Sequence, residues 1–318
     1  MATMPLLVMT LHESRVWLRA HVPSLPLPEA DAELAKHMRN STKWFDATKR
    51  EVDETLGAFD RLVTSHRGRF LGQARFRWAR RFERDLGVYT HTGTPYLTTH
   101  GIAYAIESDP SATIAELGRR MHGLGESLGR MAVNVLGTAD LPDTTSFLST
   151  LSMQKLRSRD VLSADYYSRA VGTKPSISGY LHAIWAQLAF SEMLAATPMA
   201  EDRPTALKYR IIIFGHALTA LTRLDQEKVP LARRLLEYYP DFATGSEFRK
   251  LRNALVHFTP HSNTSATVLD ADRPMFGLLE HHLGVNFDGG WSLIDASTRT
   301  LHLAMSDELG HPKSNPSG

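Results

Sequence analysis

Residues 246–258 read Ser-Glu-Phe-Arg-Lys-Leu-Arg-Asn-Ala-Leu-Val-His-Phe. Phe248, Leu251, Leu255 and Phe258 recur at steps of three, four and three, which places them on one apolar stripe of a helix. Pro260 closes that helix, because proline has no N–H to give and clashes with the preceding turn. Asn253 and His257 are four residues apart and share a face, with Arg252 beside them. The segment is therefore an amphipathic helix with a compact polar cluster.

Working outward, the same period recurs upstream. Residues 180–195 carry Leu181, Ile184, Trp185, Leu188 and Leu194, and residues 204–224 carry Leu207, Ile211, Phe214, Leu218 and Leu221. Pro204 suits a first helical turn. Residues 229–239 hold Leu231, Leu235 and Leu236, and Pro240 ends the run. Short loops between these segments favour antiparallel packing. The stretch 172–179, with Gly172, Pro175 and Gly179, is the best boundary.

Downstream, 275–283 reads as helix, while 267–269, 291–294 and 300–303 read as short strands. Nearer the start, 1–9 reads as a strand or packed arm. Helices are expected over 30–63, with Leu34, Trp44, Phe45, Leu56, Phe59 and Leu62 inward, and over 70–86, with Leu71, Ala74, Trp78, Phe82 and Leu86 inward. Residues 89–104 read as a loop or strand pair interrupted by Pro95, and 148–167 as mixed but helical. Ile114, Leu117, Met121, Leu124, Leu128, Met131 and Val135 form the most regular stripe. Its helix contains Gly118, Gly123, Gly125 and Gly129, whose propensity cost close helix–helix approach would offset. The expected fold is mainly α, a helical bundle with short β elements near the C-terminus. It divides into a module with a basic stripe (1–175), a helical bundle (176–262), a mixed extension (263–309) and a flexible tail (310–318).

Composition narrows the chemistry. The 318 residues include no Cys, which excludes disulfides, thiol catalysis, iron–sulfur clusters and Cys-bearing zinc sites. The first nine residues lack a basic lead, and no apolar run approaches the roughly 20 residues of a membrane span. A cytoplasmic protein with no membrane partner is expected. The chain has no glycine-rich nucleotide loop and no zinc-protease or nucleophile-elbow motif. No cofactor is expected, and no metal: Pro260 breaks the helical spacing between His257 and His261, and the adjacent His281 and His282 point to different sides of a helix.

The formal charge of +2 conceals a strong asymmetry. Arg outnumbers Lys by 27 to 9. Residues 61–84 hold Arg61, Arg67, Arg69, Arg75, Arg77, Arg80, Arg81 and Arg84 against the single acid Glu83, with Phe70, Phe76, Trp78 and Phe82 interleaved. After residue 263, three basic residues face seven acidic ones. Arg69, Arg75, Arg77, Arg80 and Arg81 are candidate RNA contacts, with Phe76 available to a base. An acidic protein partner would suit the same charges. The plainer reading puts Trp78 and Phe82 in the core.

Arg252, Asn253 and His257 resemble the signature of the HEPN superfamily: Arg, a polar residue, three further residues, then His. The resemblance covers about residues 178–262. It implies a bundle of four or five helices with the motif late in it. It further implies a metal-independent ribonuclease of the kind found in toxin–antitoxin and antiviral systems, with a homodimer whose two motifs share a cleft and an antitoxin as a further partner. The residues themselves suit RNA cleavage. His257 can move a proton at neutral pH, Arg252 can hold a phosphate, and Asn253 can orient either one; Arg249 and Lys250 would extend the RNA contact. Other readings stand beside this one. Arg252 could pair with a carboxylate and His257 cap a helix end, in a non-catalytic oligomer or RNA-binding adaptor. Met121 and Met131 admit an apolar-ligand protein.

Overall fold

The structure is a computed structural model that describes residues 4–21, 52–106, 156–168, 174–195, 202–239, 245–257 and 272–311. It also describes single positions or short runs between 23 and 39, between 119 and 134, and at 242 and 269–270. It is mostly helical with a small three-stranded antiparallel sheet. In chain order the elements are α1 (Met4–His21), α2 (Val52–Phe70), β1 (Leu86–His91), β2 (Thr94–Thr98), α3 (Thr99–Ile106), β3 (Leu156–Val161) and α4 (Ser163–Tyr167). The long helices follow: α5 (Pro175–Ala195), α6 (Arg203–Gln226), α7 (Pro230–Leu236), α8 (Ser246–His257), α9 (Leu278–Leu283) and α10 (Phe287–Glu308). Short 3-10 turns lie at Ala79–Phe82 and Pro274–Gly277.

Helix α6 is the axis of the fold. Asp202 caps it by accepting from the Thr205 N–H at 3.3 Å, and Pro204 sits in its first turn. Its buried residues run around the whole helix, including Ile211, Ile212, Ile213 and Phe214 in succession. A helix that is apolar on every side must be covered on every side, and α5, α7, α8 and α10 all pack against it. One core cluster extends from Met9 to Leu309, so both ends of the chain contribute to the same interior.

The sheet has the order β2-β1-β3. Thr92 and Gly93, both with positive φ, form the two-residue turn between β1 and β2, as the twist of a tight hairpin requires. Pro95 does not interrupt the strand pair. It lies in the edge strand β2, beside a bulge at Tyr89 and Thr90, where a missing N–H costs least. Residues 156–161, expected to be helical, form β3 instead. Its four central positions are exposed and only its ends are half-buried, so no apolar period marked it.

The expected C-terminal strands are not there. Residues 291–294 and 300–303 both lie inside α10, capped by Asn286 accepting from the Gly289 N–H at 2.8 Å. The buried face of α10 mixes Ile294, Leu301 and Met305 with Ser297, Thr298, His302 and Ser306. The Trp185 indole donates to the Ser306 hydroxyl at 2.7 Å, and the Tyr239 hydroxyl donates to the Ser297 carbonyl at 2.8 Å. These inward polar residues hide the helical period. The range 267–269 falls largely outside the described residues.

Three further expectations change. The start of the chain is helix, with Val8, Met9 and Leu11 buried. Residues 71–85 are an irregular loop holding one 3-10 turn, because Gly72 takes φ +81° and the chain leaves the helix there. Of the five positions expected inward in that segment, only Leu86 is buried, as part of β1. The described residues between 119 and 134 are helical with Leu124 buried, but a Cβ added at Gly123, Gly125 or Gly129 meets no described atom within 4 Å. Leu34, Trp44, Phe45, Met121 and Met131 lie outside the described residues. His311, counted above with the flexible tail, is buried and stacked on Trp185 at 4.0 Å.

Close approach does matter at Gly179. A Cβ there would lie 2.6 Å from Cε1 of Phe59, whose ring is held edge-on by Tyr104, Tyr167 and Tyr180. Gly179→Ala would gain about 1 kcal/mol of helix propensity. The forced repacking costs about 1–3 kcal/mol and wins. We expect Gly179→Ala to lower the urea midpoint; a raised midpoint would mean that the ring yields freely.

Candidate active site

Helix α8 presents the motif in two directions. Phe248, Leu251, Ala254, Leu255 and Val256 are buried, so the helix is anchored along one face against α6 and α9. Phe258 lies outside the described residues. Arg252 turns toward α6: its Nη1 donates to the Thr219 hydroxyl at 2.9 Å and to the Gly215 carbonyl at 3.3 Å. Its Nη2 donates to Oδ1 of Asn253 at 3.0 Å. His257 turns toward α1, where its Nδ1 lies 3.0 Å from Oε2 of Glu13. The structure thus joins Arg252 to Asn253 and holds His257 separately.

Arg252 reaches α6 only because residue 215 is glycine. A Cβ there would meet the Arg252 side chain at 2.7 Å. Among the described residues, all of its hydrogen bonds go to neutral oxygens. Burial, and then the like charge of Arg249, disfavour its ionised form. Among the described residues, Arg252 is therefore a half-buried guanidinium without a carboxylate to neutralise it, and such a group favours an anion beside it.

Glu13 supplies the other half of the site. Its side chain is 6% exposed, and it pairs with both Arg39 and His257. Burial alone would raise its pKa. The hydrogen bond from His257 and the charge of Arg39 outweigh burial and bring it down to about 2. Lys208 on α6 feels the same carboxylate, yet burial dominates and lowers its pKa to about 8. The Thr10 and Tyr209 hydroxyls, 3.0 Å apart, also fasten α1 to α6. Arg39 and Lys208 together outweigh the negative charge of Glu13. His257 remains 41% exposed, so its imidazole is held at Nδ1 by a carboxylate while part of the ring reaches solvent.

The other sequence candidates divide. Lys250 is taken up by Glu247 at 2.5 Å, and Glu247 also holds the buried His282 at 3.0 Å. Glu247 therefore does not serve Arg252. Arg249 is exposed. Arg69, Arg75, Arg77, Arg80 and Arg81 are exposed as well, and Trp78 and Phe82 stand in solvent beside them, not in the core. Sequence reading missed Glu13, Arg39, Lys208, Thr219 and Gly215. Of these only Gly215 left a trace, as a lone glycine inside an apolar helical run. Among the described residues no group of three or more His, Asp or Glu is placed to hold a metal ion, and no helix is long and apolar enough to cross a membrane. The chain matches no family model, no curated protein and no solved structure.

Because Glu13 is held far below its ordinary value of 4.5, it stabilises the fold fully above that pH, and the contribution fades as pH falls toward about 2. Glu13→Gln leaves Arg39 and His257 without a counter-charge. It should cost about 1.5–3 kcal/mol in urea unfolding at pH 7, and distinctly less at pH 3. A penalty equal at both pH values would show that the carboxylate charge does not hold α1.

Proposed function

We propose that the chain is a metal-independent endoribonuclease of HEPN type, with Arg252, Asn253 and His257 as its reacting cluster. The observation that carries the reading is an oriented, partly exposed imidazole on the same helix as a half-buried guanidinium that, among the described residues, has no carboxylate partner. The helices α5, α6, α7 and α8 would be the HEPN-like bundle. Arg252 stabilises the phosphate as charge builds on its oxygens. Asn253 keeps the guanidinium in place. Glu13 engages Nδ1 of His257, which sets the tautomer and assigns proton exchange with the substrate to Nε2.

The step balances without an outside reactant. The RNA 2′-hydroxyl attacks the adjacent phosphorus and gives up its proton. The bond to the 5′-oxygen breaks, and that oxygen takes a proton. The products are a 2′,3′-cyclic phosphate and a 5′-hydroxyl. His257 moves one of the two protons. A second copy of the chain, facing the first across a shared cleft, supplies the complementary group. DNA has no 2′-hydroxyl, so RNA is the substrate. A toxin–antitoxin or antiviral setting in the cytoplasm, with an antitoxin as regulating partner, follows from the same resemblance.

A second reading rests on the bonds of Arg252 to Thr219 and Gly215, which would equally serve a non-catalytic oligomer or RNA-binding adaptor. Cleavage of unstructured RNA in EDTA separates the two. We expect His257→Ala and Arg252→Ala each to lose at least about 100-fold in rate, the scale of one proton-transfer group. Variants that stay folded and cleave at the wild-type rate would exclude the assignment; no cleavage by the wild-type chain would favour the adaptor.

A further inference from the structure

The loop 71–85 is held open in a form that spends apolar surface on solvent. Phe76 is 58% exposed, Trp78 63% and Phe82 60%, with Phe70 close by at the end of α2. These rings lie against one another rather than against the core. Phe76 and Trp78 are near-parallel, with centroids 6.4 Å apart, and Phe82 meets Trp78 edge-on at 6.4 Å. Arg75 lies over Phe76 at 5.7 Å and Arg81 over Phe82 at 4.9 Å. A contiguous exposed aromatic patch is not needed by the fold and marks an interaction surface.

The loop is also braced. Both carboxylate oxygens of Glu83 accept backbone N–H groups across its neck, Oε2 from Gly72 and Oε1 from Ala74, each at 2.5 Å. Those bonds hold its carboxyl below the usual range. Of the loop's two acids, Glu83 is thus spent on the loop's own backbone, and Asp85 is buried and accepts from Ser163. Arg69, Arg77 and Arg80 are exposed in the same stretch of chain as Arg75 and Arg81, which lie over the rings.

We infer that this loop is a stacking platform for single-stranded nucleic acid, with bases on Phe76, Trp78 and Phe82 and the backbone phosphates on the surrounding arginines. Arginine forks match phosphate oxygens, and aromatic faces accept any unstacked base. Duplexes keep their bases stacked and offer these rings nothing. The patch is aromatic, with Leu71 only half exposed as its aliphatic member, which favours bases over lipid chains. The platform stands whether or not His257 cleaves RNA.

The test uses the full chain and a fluorescein-labelled 12-mer oligothymidine, which has no 2′-hydroxyl and survives the proposed nuclease. Fluorescence anisotropy is followed over a range of salt. We expect Phe76→Ala and Trp78→Ala each to weaken binding about tenfold or more while the salt slope stays the same. Arg77→Ala with Arg80→Ala should flatten the slope by about one unit or more. The side chains are exposed, so circular dichroism and melting should not change. The inference is overturned if duplex DNA of equal length or heparin binds as tightly as the single strand, or if Trp78→Ala binds like wild type. It is equally overturned if the aromatic variants lose binding only to vesicles of phosphatidylcholine and phosphatidylserine.

Discussion

A carboxylate shut away from water must find partners where it lies, and Glu13 pairs with Arg39 and His257. That requirement fastens the first helix to the eighth across 244 residues of sequence. It also gives His257 a fixed direction. Without Glu13 the imidazole would be a helix-end histidine on a solvent-facing side chain. With it, the ring has a preferred tautomer and one open face. The polar cluster on α8 thus becomes a site only when the N-terminal helix is in place.

The same helix face is governed by a second constraint at α6. Arg252 can lie along that helix because Gly215 has no side chain, and Thr219 one turn later receives its Nη1. Charge then decides what the site wants. Arg249 lies beside Arg252, and Arg39 and Lys208 lie beside Glu13, so among the described residues each half of the motif carries excess positive charge. A site built this way repels cations and gains from a phosphate. The loop at 71–85 repeats the logic with exposed arginines and rings in place of a buried pair.

Helix α8 was legible because its apolar residues keep the 3.6 period, and α5 and α6 through long apolar runs, with Pro204 in the first turn of α6. Helix α10 was not, because Ser297, Thr298, His302 and Ser306 occupy inward positions that hydrophobicity alone counts as outward. The reverse error fell on Trp78 and Phe82, whose spacing fits a helix although they face water. Arg252, Asn253 and His257 share one helix, as their local spacing implied. Glu13 was not legible, since nothing around one carboxylate in an N-terminal helix announces a partner so far along the chain.

The central claim is that this cluster cleaves RNA by internal attack of the 2′-hydroxyl. The most direct measurement is the chemistry of the cut ends, read on an oligoribonucleotide incubated with the full chain in EDTA. The account predicts a 2′,3′-cyclic phosphate and a 5′-hydroxyl at each cut, and no cut at a position where the 2′-hydroxyl is replaced by hydrogen. Ends bearing a 5′-phosphate and a 3′-hydroxyl, or cutting that continues at the 2′-deoxy position, would contradict it.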